Sequence, residues 1–241
     1  MNAPLLVIPL AIEWVIVVTT LAPIFLPGKF QESPQLGIAI WFTAFLSAGI
    51  ATITVLVIAV WAYLDTWTAV NNDALGSQSW FAALLVSFAP WVALAAGGIT
   101  LALINNRIEP LVANSKEIAP LIAMTKQPLM HFMGTRVYLV ELPFAFALAS
   151  NRDILISSFA KDHLSQDELA AVLWHELGHV KLKHFAIKRL AKFIRALSPK
   201  LAASRALVNE VELLCEKSAD RFALEKVNAP TLKMARSLFE N

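Results

Sequence analysis

Three long apolar stretches near the start of the chain limit its possible folds more than any other feature. Residues 4–27 contain one charged side chain, Glu13, and residues 33–64 and 74–106 contain none. Each stretch is longer than the roughly 20 residues that a helix needs to cross about 30 Å of hydrocarbon. The sequence therefore predicts three transmembrane helices, at about residues 4–27, 36–63 and 80–104.

The composition agrees with a membrane protein. Hydrophobic residues make up 57% of the chain, charged residues only 16%, and the mean hydropathy is +0.61. These values lie outside the usual range of soluble domains. A secretory signal peptide is the alternative for residues 4–27, but this stretch has neither a basic start nor a small-x-small cleavage site. We therefore expect a retained membrane anchor.

Positive charge is concentrated in the C-terminal part of the chain. Lys29 is the only Lys or Arg before Arg107, whereas residues 105–241 hold 19 such residues against 14 acids. Basic segments next to membrane spans stay in the cytoplasm. We therefore expect an integral, multi-pass protein of a bacterial cell membrane, with its C-terminal part on the cytoplasmic side.

The segment His175-Glu176-Leu177-Gly178-His179 has the HExxH pattern of zinc hydrolases. It lies in a helical pattern from Ser165 to Phe185, and Ser165 and Glu168 match a capping box. Residues four apart share one face of a helix, so the two imidazoles can reach one metal ion. Glu176 falls beside that ion, where it can act as a general base on a water molecule.

A catalytic zinc needs a third protein ligand and one open position. A third histidine in an HExxHxxGxxH pattern would need glycine at position 182 and histidine at 185, where this chain has Leu182 and Phe185. A second helical pattern, from about Leu207 to Val227, instead offers Glu216. A solvated carboxylate is the alternative for Glu216 alone, but its position behind HExxH favours the ligand.

Asp220 follows Glu216 by one helical turn and can accept the outer ring N–H of His175, which would fix the tautomer of that histidine. Cys215 is adjacent to Glu216 but out of ligand register, so we expect it to pack as a small residue. It is the only cysteine. No internal disulfide is possible, as expected for a cytoplasmic domain.

Residues 181–205 hold eight Lys or Arg and no acid, interleaved with large apolar residues. The pattern predicts a basic amphipathic helix that ends at Pro199. A solvated helix face and a nucleic-acid patch are the alternatives. Because the chain is already tethered to a membrane, we expect contact with an anionic lipid bilayer and no nucleic-acid partner.

Together with the helix that carries HExxH, the segment Glu216-x-x-Ala-Asp-Arg-Phe-Ala223 resembles the membrane-embedded gluzincins. This group holds the heat-shock membrane protease, the CAAX prenyl protease and the beta-lactam-sensing antirepressor peptidases. Three earlier segments match as well, and the resemblance covers roughly Val137 to Leu224. The matching segments are Pro143–Ala147, Asp153–Ser157 and Leu164–Leu173.

The resemblance implies a membrane-anchored zinc metalloendopeptidase with one zinc ion per chain. Its metal ligands would be His175, His179 and Glu216, its catalytic base Glu176, and its substrate a membrane or membrane-proximal protein. In the resembled enzymes, a strand beside the zinc helix pairs with an extended substrate, and residues 144–149 are the candidate here. An ordinary half-buried strand is the alternative.

This chain departs from the heat-shock and prenyl-protease pattern, because only 36 residues separate His179 from Glu216. The short spacing is closer to that of the antirepressor branch. Two other functions stay open: a regulatory transducer with one specific substrate, and a non-catalytic membrane scaffold that keeps a zinc site.

The predicted fold is a mainly α membrane protein with three N-terminal spans and a small α+β, zincin-like domain. We assign residues 1–106 to the transmembrane domain, 107–136 to a connector and 137–241 to the metallopeptidase domain. Strands are expected at 136–141, 144–149 and 153–157.

Overall fold

The computed structural model describes residues 3–72, 126–150 and 152–239. The first two predicted spans are helices: α1 covers Ala3–Phe25 and α2 covers Pro34–Asn72. Within the described residues, two segments are long and apolar enough to cross a membrane, Val7–Phe25 and Pro34–Ile58. The third predicted span, at 80–104, and residues 107–125 of the connector lie outside the described residues.

Helix α2 is longer than the sequence pattern indicated, and continues to Asn72 instead of ending near residue 63. The reason is local, because residues 50–72 contain neither Gly nor Pro to stop a helix. Helices α1 and α2 pack against each other. Between them, Trp14 Nε1 donates a hydrogen bond to Ser47 Oγ at 3.0 Å.

A small sheet follows, in which the strand order is β1-β2-β4-β3 among the described residues. Strand β2 pairs antiparallel with β1 and parallel with β4, and β3 pairs antiparallel with β4. This order leaves β3 at an edge of the sheet. The strands are β1 Gln127–Phe132, β2 Thr135–Val140, β3 Ala147–Ala149 and β4 Asp153–Ser157.

Strand β1 had no clear signal in the sequence. It contains Pro128 and is exposed or half-buried along its whole length, so it lacks the apolar alternation of a core strand. It pairs with β2 through a tight turn at Met133-Gly134, where both residues have positive φ. The sheet therefore begins at Gln127, before the proposed domain start at 137. The strand expected over 144–149 is shorter and covers only Ala147–Ala149.

Helices form the remainder of the described domain, which is thus an α+β unit, as expected. The two helical patterns predicted at 165–185 and 181–205 are separate helices. The first ends at Lys181, and Lys183 between them adopts a left-handed conformation with φ of 55°. The helices are α3 Ser158–His163, α4 Gln166–Lys181, α5 His184–Leu197, α6 Ala202–Leu224 and α7 Ala229–Ser237.

Helices α1 and α2 and the loop between them form a helical hairpin, called the membrane hairpin. Helix α6 packs directly against it. Trp41 of α2 is fully buried in one apolar cluster with α6. Gly37 lies so close to α6 that a Cβ there would be 2.9 Å from Leu214 Cδ1. The loop between α1 and α2 is also attached, since Gly28 N donates to the buried Glu210 carboxylate at 2.8 Å. The membrane hairpin and the helical domain therefore share a core.

Candidate metal centre

Helix α4 carries both histidines of the HExxH segment. It begins at the predicted capping box: Ser165 Oγ accepts a hydrogen bond from Glu168 N, and the Glu168 carboxylate accepts one from Ser165 N. The side chains of His175 and His179 are 12% and 11% exposed, and their Nε2 atoms lie 3.2 Å apart. Two imidazole nitrogens therefore point into one half-open space.

Helix α6 brings Glu216 into the same space. Its Oε2 lies 3.4 Å from His175 Nε2 and 3.5 Å from His179 Nε2. Gly178 makes this approach possible, because a Cβ at that position would be 3.1 Å from Ala219 Cα on α6. The glycine between the two histidines thus lets the helix with the third side chain pack close to α4.

The three atoms fit a tetrahedral metal ion. A zinc ion with bonds of about 2.0–2.1 Å separates neighbouring ligand atoms by about 3.3–3.4 Å, and the three separations here are 3.2, 3.4 and 3.5 Å. Two imidazoles and one carboxylate are also a donor set of catalytic zinc sites. His175, His179 and Glu216 therefore form a site that can hold a divalent cation.

Asp220 lies where the sequence placed it, one turn after Glu216. Its Oδ1 is 2.9 Å from Nδ1 of His175, and its other oxygen pairs with Arg236 of α7. Burial alone lowers the pKa of His175, but the contacts with Asp220 and Glu216 outweigh burial and raise that pKa to about 9. Two carboxylates therefore make the site favourable for a positive charge.

Two side chains of α5 complete the surroundings of the ligands, and the sequence analysis assigned no role to either. Nδ1 of His184 lies 2.8 Å from Nδ1 of His179. Lys188 Nζ donates to Glu216 Oε1 at 2.8 Å. Burial, followed by the nearby charges of His179 and Lys188, lowers the pKa of His184 to about 4, so the ring is neutral at neutral pH. The only sequence signal for these two contacts was a histidine five residues after His179.

Glu176 of α4 is 9% exposed, and its side chain lies on the side of the helix that contacts the edge strand β3. Burial raises the pKa of its carboxyl group, and the charges of His175 and His179, with a backbone hydrogen bond from Ala149 of β3, oppose this only in part. The carboxyl group thus lies next to the ligand pair and the strand. Its catalytic role remains a prediction.

Cys215 is fully buried beside Glu216 and packs among apolar side chains of α2, α5 and α6. Burial raises the pKa of its thiol to about 12. The group is therefore uncharged at neutral pH and does not belong to the candidate ligand set among the described residues.

A helix with HExxH beside an edge strand, with a glutamate from a second helix, is the arrangement of a zincin metallopeptidase. The model of peptidase family M48 matches residues 115–198 of this chain. The matched segment includes β1 to α5 and the whole HExxH motif but ends before Glu216. The family match therefore does not include helix α6, and Glu216 belongs to the candidate site through the sequence prediction and the observed geometry.

One similar protein is Protease HtpX homolog 2 of Methanosarcina mazei, which is 29% identical over an aligned length of 96 residues. The alignment covers 33% of this chain and 33% of that relative, so the chain spans about a third of the length of the curated relative it matches. No solved structure matches the chain. The family match and this relative together support a membrane-associated zincin metallopeptidase of the M48 group.

Proposed function

We propose that this protein is a membrane-anchored zinc metalloendopeptidase in which His175, His179 and Glu216 hold one zinc ion per chain. The observation that carries the proposal is the convergence of their three ligand atoms at separations of 3.2 to 3.5 Å. The atoms come from α4 and α6, two helices that are separated in the chain by α5. One side of the site stays open to solvent, because the Glu216 side chain is 38% exposed. A catalytic zinc needs such an open position.

Glu176 is the proposed general base. Zinc, when bound, supplies a water molecule of lowered pKa and polarises the carbonyl of the scissile bond. The Glu176 carboxylate takes a proton from the attacking water and returns it to the leaving amine. The place of Glu176 directly after His175 and its contact with β3 support this role. A substrate on β3 would lie within reach of both the Glu176 carboxylate and the proposed zinc ion.

Strand β3 is the proposed binding edge for the substrate. One side of Ala147–Ala149 pairs with β4, and within the described part of the chain no strand pairs with the other side. An extended peptide can add to such an edge through backbone hydrogen bonds. The proposed substrate is therefore an unfolded or loop segment of a membrane or membrane-proximal protein.

The proposed topology has three spans, the third at 80–104, and a cytoplasmic metallopeptidase domain. The attachment of α6 to the loop between α1 and α2 supports the placement of the domain on the same side of the membrane as that loop. This attachment puts Lys29 and the basic helix α5 on the same side of the membrane, as the distribution of positive charge requires. Helix α5 exposes Phe185, Leu190 and Phe193, and we propose that this face lies on the lipid surface.

The full-length protein in lipid nanodiscs tests the function. Metal analysis is expected to give one zinc per chain, and a quenched fluorescent peptide or casein is expected to be cleaved. Cleavage should stop with a chelator and return with added zinc. Bound zinc without cleavage of any peptide would instead indicate the scaffold. Cleavage confined to one trapped membrane protein or repressor would indicate the regulatory transducer.

A further inference from the structure

We propose that His184 and Lys188, one turn apart on α5, are positioning residues. Each contacts the atom of one metal ligand that does not face the ion, in His179 and Glu216 respectively. The inference rests on the proposed metal site. His184 would orient the ring of His179, and Lys188 would hold one oxygen of Glu216 away from the ion. Together they make α5 a third element of the centre, beside α4 and α6.

The argument for His184 begins with the free nitrogen of His179. Nε2 of His179 faces His175 Nε2 and Glu216 Oε2, so only Nδ1 remains for a hydrogen bond. That atom lies 2.8 Å from Nδ1 of His184, whose residue is 2% exposed. A neutral His179 that binds metal through Nε2 carries its proton on Nδ1 and donates it to His184. The His184 ring then carries its own proton on Nε2.

The bend between α4 and α5 is what makes this contact possible. Residues five apart on a continuous helix point about 140° away from each other, so His184 could not reach the His179 ring if α4 simply continued. Lys183 takes a left-handed conformation with φ of 55°, which turns the chain and returns His184 beneath the metal site. A non-glycine residue in this conformation carries strain that the surrounding packing must offset.

The argument for Lys188 begins with the two oxygens of Glu216. Oε2 faces both imidazoles, while Oε1 accepts a hydrogen bond from Lys188 Nζ at 2.8 Å. The lysine therefore occupies the oxygen that a bidentate carboxylate would use. It keeps Glu216 a one-oxygen ligand, which preserves an open position for water and substrate.

The test for His184 is metal affinity, measured by chelator competition with the full-length protein. His184→Leu removes the acceptor, and we expect about 10- to 100-fold weaker zinc binding, as is typical when the partner of a metal-bound histidine is lost. His184→Asn places Oδ1 near the position of Nδ1 and should stay within a few-fold of wild type. If the leucine variant does not fold, His184→Gln replaces it, because its amide group lies nearer the position of Nε2.

The test for Lys188 is the absorption spectrum of the cobalt-loaded protein, because four-coordinate cobalt absorbs visible light more strongly than five-coordinate cobalt. Lys188→Met should weaken the absorption, since Glu216 can then bind through both oxygens, while Lys188→Arg should keep it. Lys192→Met is the matched control. It breaks the neighbouring α5–α6 ion pair with Glu212, a residue outside the candidate ligand set, and should leave the spectrum unchanged.

The outcomes separate this inference from the proposed function. A wild-type protein that binds one zinc, with His184→Leu and His184→Asn both binding as tightly, overturns the role of His184. An unchanged cobalt spectrum in Lys188→Met overturns the role of Lys188. A wild-type protein that binds no zinc overturns the proposed function and this inference with it.

Discussion

Gly178 of α4 faces Ala219 of α6 so closely that a Cβ on the glycine would lie 3.1 Å from the alanine Cα. This close contact lets α6 bring Glu216 near the two histidines. A side chain on Gly178 must push against backbone, which cannot turn aside as a flexible side chain can. The glycine is therefore part of the metal centre although it binds no metal.

We predict that Gly178→Ala weakens zinc binding several-fold while the helix itself gains stability. Alanine favours a helix interior over glycine by about 1 kcal/mol, but the two helices must separate by a few tenths of an ångström. Gly49→Ala in α2 is the control, because its new Cβ meets nothing within 4 Å. Chelator competition measures the affinity. If Gly178→Ala binds zinc as tightly as the wild type, α6 can shift without weakening the metal site.

Glu176→Gln is expected to keep zinc and lose cleavage by at least about 100-fold, as is usual when a general base is removed. The amide has the same size and can still contact the backbone of Ala149, but it cannot accept a proton from water. Metal analysis and peptide turnover are measured on the same sample. Glu212→Gln, at the exposed α5–α6 ion pair, should cleave normally. Turnover retained by Glu176→Gln would contradict the role of the base.

Asp220→Asn should weaken zinc binding by about 10- to 100-fold. The carboxylate faces Nδ1 of His175 at 2.9 Å, and an amide stabilises the protonated ring nitrogen less than a charge does. Arg236→Gln serves as the comparison. It removes the partner of the other Asp220 oxygen but leaves the acceptor for His175 in place, so its loss should be smaller. Equal losses of zinc affinity in the two variants would mean that zinc binding depends on the Asp220–Arg236 ion pair and not on the contact between Asp220 and His175.

Trp41→Ala should destabilise the domain, because this fully buried side chain belongs to the cluster that joins α2 to α6. Truncation of a buried large aromatic costs about 3–5 kcal/mol. Thermal unfolding of the metal-free protein in detergent should show a lower midpoint. Trp61→Ala, on the same helix but 60% exposed, is the control. A midpoint equal to wild type would show that the domain does not depend on the membrane hairpin.

A spin label at Phe193 should sit among lipid headgroups and acyl chains. The side chain is 48% exposed on the basic helix α5, and such amphipathic helices lie at the membrane surface. In nanodiscs with anionic lipid, Phe193→Cys should be relaxed more by oxygen than by a water-soluble nickel complex. The same label at Met234 on α7 should show the reverse. Native Cys215 is buried and should stay unlabelled. Equal behaviour of the two labels would refute membrane contact at α5.

Several features of the fold follow from short stretches of sequence. The uncharged runs indicate membrane helices because length and polarity alone decide whether a helix can cross a bilayer. The HExxH helix follows from its capping box and from the pitch of an α-helix, which fixes where His175 and His179 point. The resemblance to gluzincins rests on the same local motifs, and the family match agrees with it.

The errors of the sequence analysis lie where local signals are weak. Strand β1 is exposed along its length and is stabilised by pairing with β2, so its own residues carry no strand pattern. The two predicted helical patterns overlapped at 181–185, because the boundary between α4 and α5 depends on a left-handed Lys183, a conformation that the residue type itself disfavours. Apolar residues continue across that boundary, so the sequence did not define its position.

The sequence by itself determined the apolar N-terminal helices and the helix that carries HExxH. It also determined that His175 and His179 share one face of that helix, because helical pitch is a local property. Only the tertiary structure decided that Glu216 reaches them across Gly178, and that His184 and Lys188 stand behind the ligands. Those contacts join segments whose spacing along the chain gives no geometry. They form because α6 buries its apolar face against α4, α5 and the membrane hairpin at once.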